Sequence, residues 1–235
     1  LNDVVQDVMG HVGLEEGDSV IDIGANDCTM LAYFPDNVNR IAVEPAKNIE
    51  WKEVDPSIKI INDYFNKDSV KNAITSPVKA ITACAMFYDL DDPNSFVADI
   101  KSVLAPEGIF CIQLSYLPSM IKNMNFYDIC NEHLEYYSLQ SLRNLLARHR
   151  LSIFDASTNH VNGGSARVFI CNSENNRGES EGFQSLLEEE MQMDLYNPLT
   201  YKNFYQKIVD LKNKINGYIK EEMNKGKLVI GLGAS

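Results

Sequence analysis

The chain has no excess of positive charge to offer a polyanion: 21 Lys and Arg stand against 33 Asp and Glu, a formal net charge of −12 at pH 7. Without a basic face to neutralise phosphates, a nucleic-acid polymer is a poor substrate and a small molecule a better one. Paired cysteines are also missing. Cys28, Cys84, Cys111, Cys130 and Cys171 are scattered singly, with no CxxC. That spacing argues against a zinc site, and the odd number fits poorly with a disulfide framework, so the thiols read as buried groups in a reducing cytoplasm and no metal is expected. No run approaches the roughly 18 to 20 apolar residues that a membrane helix needs. The opening LNDVVQDVMGHVGL lacks the basic flank and apolar centre of a signal peptide. These absences predict a cytoplasmic protein with no membrane partner.

What is present is 235 residues, 45% of them hydrophobic, enough for one good core plus an appendage. Residues 3–14 place valines at helical spacing, and a turn at 15–18 leads into the apolar strand 19–23. Further strands are expected at 40–43, 58–61, 78–83 and 108–113, separated by segments long enough for crossovers. Short apolar strands in that rhythm imply a parallel sheet covered on both faces, an α/β fold of the Rossmann-like doubly wound class. A loop-rich stretch, 114–137, precedes a helix at about 138–150 with Ser138 as its N-cap, and two strands, 151–156 and 166–171, can close the sheet as an antiparallel hairpin. Residues 172–182 are polar and read as a linker; 183–224 is amphipathic helix broken near Asn197 and Pro198. The expected domains are therefore 1–172, a linker and long helical extension over 173–226, and the first strand of a further domain at 227–235, KLVIGLGAS, where the chain reads as cut from a longer protein.

The first chemical signal is VIDIGANDCTM (20–30), an apolar strand that ends in Asp22 and opens through Gly24 toward a helix. A glycine lets the backbone approach a ligand, and open α/β sheets bind ligands at the carboxyl ends of such strands. Yet Gly24, Ala25, Asn26, Asp27 and Cys28 do not make the GxGxxG that seats a pyrophosphate, so a dinucleotide oxidoreductase is disfavoured. Acidic residues here suit a cationic ligand, such as the sulfonium and ammonium of S-adenosylmethionine. Glu44, 20 positions after Gly24 in IAVEP (41–45), stands where a carboxylate accepts hydrogen bonds from ribose hydroxyls, with Pro45 fixing the chain beyond it.

Together these segments resemble the class I S-adenosylmethionine-dependent methyltransferases: VIDIGANDCTM is similar to their first motif and AVEP to their acidic second motif. NDYF (62–65) and CAMFYDLDDP (84–93) resemble the regions that flank the cofactor's adenine and run along it. The resemblance implies Asp63 near the adenine amino group with Tyr64 beside it, and Ala85 or Met86 along the cofactor.

The stretch 125–138 crowds a histidine with acids and tyrosines into loop-like sequence after the fifth strand. His133 stands next to Glu132, whose charge can stabilise an imidazolium, which makes it a candidate base. FYDICNEHLEYYSL (126–139), with NGGSARVFI (162–170), resembles the sugar C-methyltransferase family, whose members methylate carbon next to a ketone on nucleotide-linked sugars. The resemblance implies His133 as general base, Glu132 orienting it or binding substrate, Tyr136 or Tyr137 lining the pocket, the NGGS loop offering backbone N–H groups, and a zinc-binding domain upstream. This chain departs from the family at Cys130, where a tyrosine is common, and at Tyr88 or Asp89, where a histidine is common. Gln113 and Tyr116 are further pocket candidates. O- or N-methylation of another metabolite, and a non-catalytic binding module, are the competing readings.

Overall fold

The computed structural model describes residues 1–233. In chain order its elements are α1 (Asn2–His11), β1 (Ser19–Ile23), β2 (Asn39–Val43), β3 (Lys59–Ile61), α2 (Lys67–Val70), β4 (Val78–Cys84), α3 (Pro93–Val103), β5 (Leu104–Ser115), α4 (Leu117–Asn123), α5 (Leu139–Ala147), β6 (Leu151–Asn159), β7 (Ser165–Asn172), α6 (Glu181–Gln192) and α7 (Pro198–Asn224). The strands form a seven-stranded sheet in the order β3-β2-β1-β4-β5-β7-β6. The first five pair in parallel, and β7 runs antiparallel to both β5 and β6. This is the doubly wound, mostly parallel sheet expected from the strand rhythm, with the 151–172 hairpin closing one edge.

The alternation along β1 explains the two layers. Ile21 and Ile23 face one core with Ile41, Val43, Ile81 and α3, while Val20 faces the other with Ala42, Ala80 and the valines of α1. Arg167 of β7 fastens α1 to the sheet: it pairs with Asp3 at 2.7 Å and with Asp7, and donates to Gln113 Oε1 from Nε (3.1 Å) and Nη2 (2.8 Å). Gln113 is thus committed to the sheet end, not to a pocket wall.

Helix ends follow local chemistry. Asp92 caps α3 through the Ser95 N–H, with Pro93 in the first turn, and Ser138 forms a capping box with Ser141 on α5, as its sequence position predicts. α6 stops at Gln192, and Asn197 then caps α7 by accepting the Leu199 N–H, with Pro198 in the first turn, so the break lies close to the position read from the sequence.

Three expectations differ. The turn after β1 does not open into a helix; one 3-10 turn, Leu31–Tyr33, precedes Pro35 and β2, because Asn26 and Cys28 take left-handed backbone angles (φ 48° and 64°) that a helix cannot contain. The polar stretch 172–182 is not slack: Asn172 donates to the Ala105 and Pro106 carbonyls, Arg177 to the His11 carbonyl, and Ser180 caps α6. Phe183 of α6 is then fully buried in the core, and α6 packs beside β6 and α5. Third, residues 227–233 pair with no strand among the described residues, and Leu228 and Leu232 are 85% and 96% exposed. A strand needs a neighbour for its backbone groups, and none lies beside this run. Ala234 and Ser235 of the GLGAS expectation lie outside the described residues. No helix is long and apolar enough to cross a membrane among them, and no cluster of three metal-ligating side chains is found there.

Candidate cofactor and acceptor site

The turn after β1 is tied down by its neighbours. Gly24 and Ala25 donate to the Val43 carbonyl at 2.9 and 3.3 Å, and Gly24 has φ +74°, a conformation a side chain resists. A Cβ there would stand 3.3 Å from Met86 Cγ, so the glycine also admits the post-β4 segment. Glu44, buried at the end of β2, accepts the Asn26 N–H at 2.9 Å on one carboxylate oxygen and the Ala46 N–H at 2.8 Å on the other. Each oxygen keeps a lone pair for a further donor. Asn62 holds the same corner by donating to the Glu44 and Ala46 carbonyls, and Trp51 Nε1 donates to the Asn26 carbonyl.

These strand ends open on a cavity of about 640 Å³, within the usual range for small-molecule sites. Of the residues assigned to the cofactor by sequence, Gly24, Asn26, Glu44, Pro45, Tyr64, Ala85 and Met86 line this cavity. Phe65 and Phe96 add aromatic wall, and Asp89 adds a second carboxylate. Neither lysine nor arginine lines the cavity among the described residues. Acidic and apolar walls fit a nucleoside that carries positive charge and disfavour a pyrophosphate. Ala85 sits at φ 56°, held there by donating its N–H to the Gln113 carbonyl at 2.8 Å. That strained residue turns the chain along the cavity.

Other expected cofactor residues lie elsewhere. Asp22 is buried beneath the turn on the opposite sheet face, where Thr82 Oγ1 donates to it at 2.7 Å. Burial, above all, pushes its carboxyl up to about 7; the Thr82 bond opposes this and the Glu44 charge adds to it. The period-2 alternation of β1 puts Asp22 and the cavity-lining Ile23 on opposite faces. Ala25 is buried in that same second core. Asp27 is exposed outside the cavity and accepts the Thr29 N–H, while Asp63 is exposed and spends an oxygen on the Tyr64 N–H.

The acceptor stretch docks on the turn after β4. Leu134 and Glu135 donate their N–H groups to the Tyr88 carbonyl at 3.0 and 3.1 Å, and the His133 ring lies on the Tyr88 ring, centroids 4.2 Å apart. His133 does not itself line the cavity, but its charge is felt by Asp89 of the cavity wall. Desolvation holds Asp89 above its usual range, opposed by the His133 charge and reinforced by Glu132; Asp128 is raised by burial and likewise feels His133. Glu132 is exposed, and Tyr136, half-buried, donates to the Asp128 carbonyl at 3.3 Å. Tyr137 is no pocket residue: it is 6% exposed, its ring packs on Phe87, and its hydroxyl finds no partner among the described residues. As the residue next to the Ser138 cap, it turns into the core. The NGGS loop closes on this region, with Asn123 and Asn125 donating to the Gly163 carbonyl at 2.9 and 2.5 Å. Its Gly164 N–H is spent on the Val161 carbonyl.

The family model described as a methyltransferase domain matches residues 3–153, which contain the whole cavity. The chain belongs to the class I S-adenosylmethionine-dependent methyltransferases. Residues 160–235 of the methyltransferase match a second model, the C-methyltransferase C-terminal domain. C-methyltransferase NovU of Streptomyces niveus is 27% identical over 227 residues, 95% of this chain and 54% of that protein, so the chain spans about half the length of this curated relative. Among solved structures, the YcgJ protein of Bacillus subtilis superposes with TM-score 0.55 at 14% identity, covering 72% of this chain and 97% of the other. A SAM-dependent methyltransferase of Aquifex aeolicus gives 0.52 at 20% identity, covering 70% and 87%. These two likenesses are of fold. The cavity residues fit S-adenosylmethionine, the cofactor of this family: free lone pairs of Glu44 suit ribose hydroxyls, the aromatic wall suits a base, and the carboxylates suit a sulfonium. Asp89 and Asp128, missed as site residues, carry no motif of their own; only the docking of 125–137 onto Tyr88 brings them to His133.

Proposed function

We propose that this methyltransferase methylates a carbon next to a ketone on a small molecule, a keto-sugar nucleotide or one like it, with His133 as general base. The observation that carries this reading is the seat of His133: its ring packs at a tilt against Tyr88, and its charge is felt by Asp89, a carboxylate of the cavity wall. The name of the relative from Streptomyces niveus supports carbon as the acceptor atom. When bound, S-adenosylmethionine supplies an electrophilic methyl group. His133 takes the proton from the acidic C–H, leaving on the acceptor carbon an electron pair, delocalised onto the ketone oxygen, that would be free to accept that methyl group. Asp89 and Asp128 are the carboxyls that feel the His133 charge, and Tyr136 donates to the Asp128 carbonyl. Glu44 would hold the cofactor's ribose.

The test is transfer of a 13C-labelled methyl to keto-sugar nucleotides, with the product read by NMR and mass. The expected product has a new carbon–carbon bond, and His133→Ala loses most turnover while binding S-adenosylhomocysteine as the wild type does. A label on oxygen or nitrogen, or a fully active His133→Ala enzyme, overturns the reading.

A further inference from the structure

One buried carboxylate stands outside both halves of the site. Glu190 of α6 is 4% exposed, yet both of its oxygens are in use. One accepts the Tyr116 hydroxyl at 2.8 Å and the Leu139 N–H, and the other accepts the Gln140 N–H at 3.0 Å. Leu139 and Gln140 are the first two residues of α5, whose N–H groups have no partner within their own helix, while Ser138 satisfies the third. A charge from another helix therefore completes that helix terminus, where a negative group is favoured.

Tyr116 is the more telling partner. It is the residue at which the chain leaves β5 for the acceptor stretch, and it bridges to Tyr137, at which the chain returns. Leu117 donates to the Tyr137 carbonyl at 3.0 Å, and Tyr116 donates to the Gly164 carbonyl of the NGGS loop at 3.3 Å. The excursion 117–137, which carries Asp128, Glu132, His133 and Tyr136, is thus closed at its neck by one backbone bridge. Glu190 grips both sides of that neck, Tyr116 on the outgoing strand and the α5 terminus just beyond Tyr137.

We propose that Glu190 is a positioning residue for acceptor chemistry: acting through the Tyr116 hydroxyl, it holds the neck of the 117–137 excursion so that His133 stays seated on Tyr88. This rests on the reading of that excursion as the acceptor segment. α6, outside the residues that carry the cofactor cavity, is thereby coupled to the position of the base. Tyr116→Phe isolates the effect, since it removes one hydroxyl and leaves the α5 bonds to Glu190 intact.

The reporters are the amides of Leu134 and Glu135, whose only assigned role is to dock the excursion on Tyr88. Hydrogen exchange on the ligand-free chain is expected to be about ten-fold faster at these two amides in Tyr116→Phe, the loss appropriate to a bond with a charged acceptor. Exchange in β1 and β4, and affinity for S-adenosylhomocysteine, should hold at wild-type values. Glu190→Ala should show the same local effect more strongly, and Glu190→Gln should recover part of it. Turnover with an acceptor that the wild type methylates should show a raised acceptor KM with the cofactor KM unmoved. Unchanged protection at Leu134 and Glu135 in both Tyr116→Phe and Glu190→Ala overturns the proposal, as does a loss that β1 shares in equal measure. The exchange arm needs no acceptor, so a wrong acceptor class shows in the product assay alone.

Discussion

Replacing Asp22 by Asn should make the protein more stable, and by an amount that depends on pH. The carboxyl is buried, has one side-chain partner, Thr82, and is pushed up from an ordinary 3.8 to about 7. Between those two values the folded state holds a proton that the unfolded chain has released, so stability falls as pH rises through this window and levels off above it. The stabilising state is the protonated one, present in full below the unfolded value and lost through about 7. At 1.36 kcal/mol per pKa unit, a displacement of about three units amounts to roughly 4 kcal/mol across the window. Between about pH 5 and about pH 8 the part lost is roughly 2 to 3 kcal/mol. Asn keeps an oxygen for the Thr82 hydroxyl and does not titrate. Urea unfolding of both proteins at the two pH values measures the difference directly. The advantage of the Asp22→Asn variant should widen by that amount at the higher pH; a gap that stays constant or narrows refutes the assignment of a buried, unpaired carboxyl.

Glu44→Ala should weaken S-adenosylhomocysteine binding by about 10- to 100-fold, since it removes the charged acceptor for the ribose and frees the Asn26 and Ala46 N–H groups that shape the turn; calorimetry, with NAD as a non-binding control, reads it. Gly24→Ala forces a side chain into φ +74° beside Met86, at a cost of about 1 to 2 kcal/mol in unfolding free energy and with weaker cofactor binding. Phe183→Ala should cost about 3 to 5 kcal/mol, because α6 is part of the core; a cost near zero on urea unfolding would mean that the helix is a loose appendage.

The sheet and the cofactor corner were legible because both are written in local pattern. Apolar runs of strand length at crossover spacing give the parallel order, and a glycine turn followed 20 positions later by Glu44 gives the cavity floor. Residues whose role depends on strand face were harder to place. Asp22 belongs to the motif, yet pleat alternation turns it away from the cavity that Ile23 lines, and no motif records which way a strand faces. The acceptor half was legible as an unusual composition but not as a geometry. Asp89 and His133 are neighbours of the same tyrosine, Tyr88, a relation that no local pattern records, and the resemblance that offered Tyr137 as a pocket tyrosine does not fix its rotamer, which packs the ring on Phe87. Glu190 lies in a helix face that reads as solvated charge; its burial depends on a docking that hydrophobic spacing alone does not specify.

The place of β7 sets an order of assembly. The last strand among the described residues is not the last in the sheet: it lies between β5 and β6, with an antiparallel neighbour on either side. Until residues 165–172 have been made, the edge of β5 has no partner and α1 lacks the arginine that anchors it, more than 150 positions downstream. An open apolar edge invites pairing with another chain. During synthesis, therefore, the cofactor corner can close while the acceptor half still waits for the β6–β7 hairpin to arrive as a unit. A ribosome that stalls between these two events would leave a nascent chain with its floor in place and one sheet edge bare.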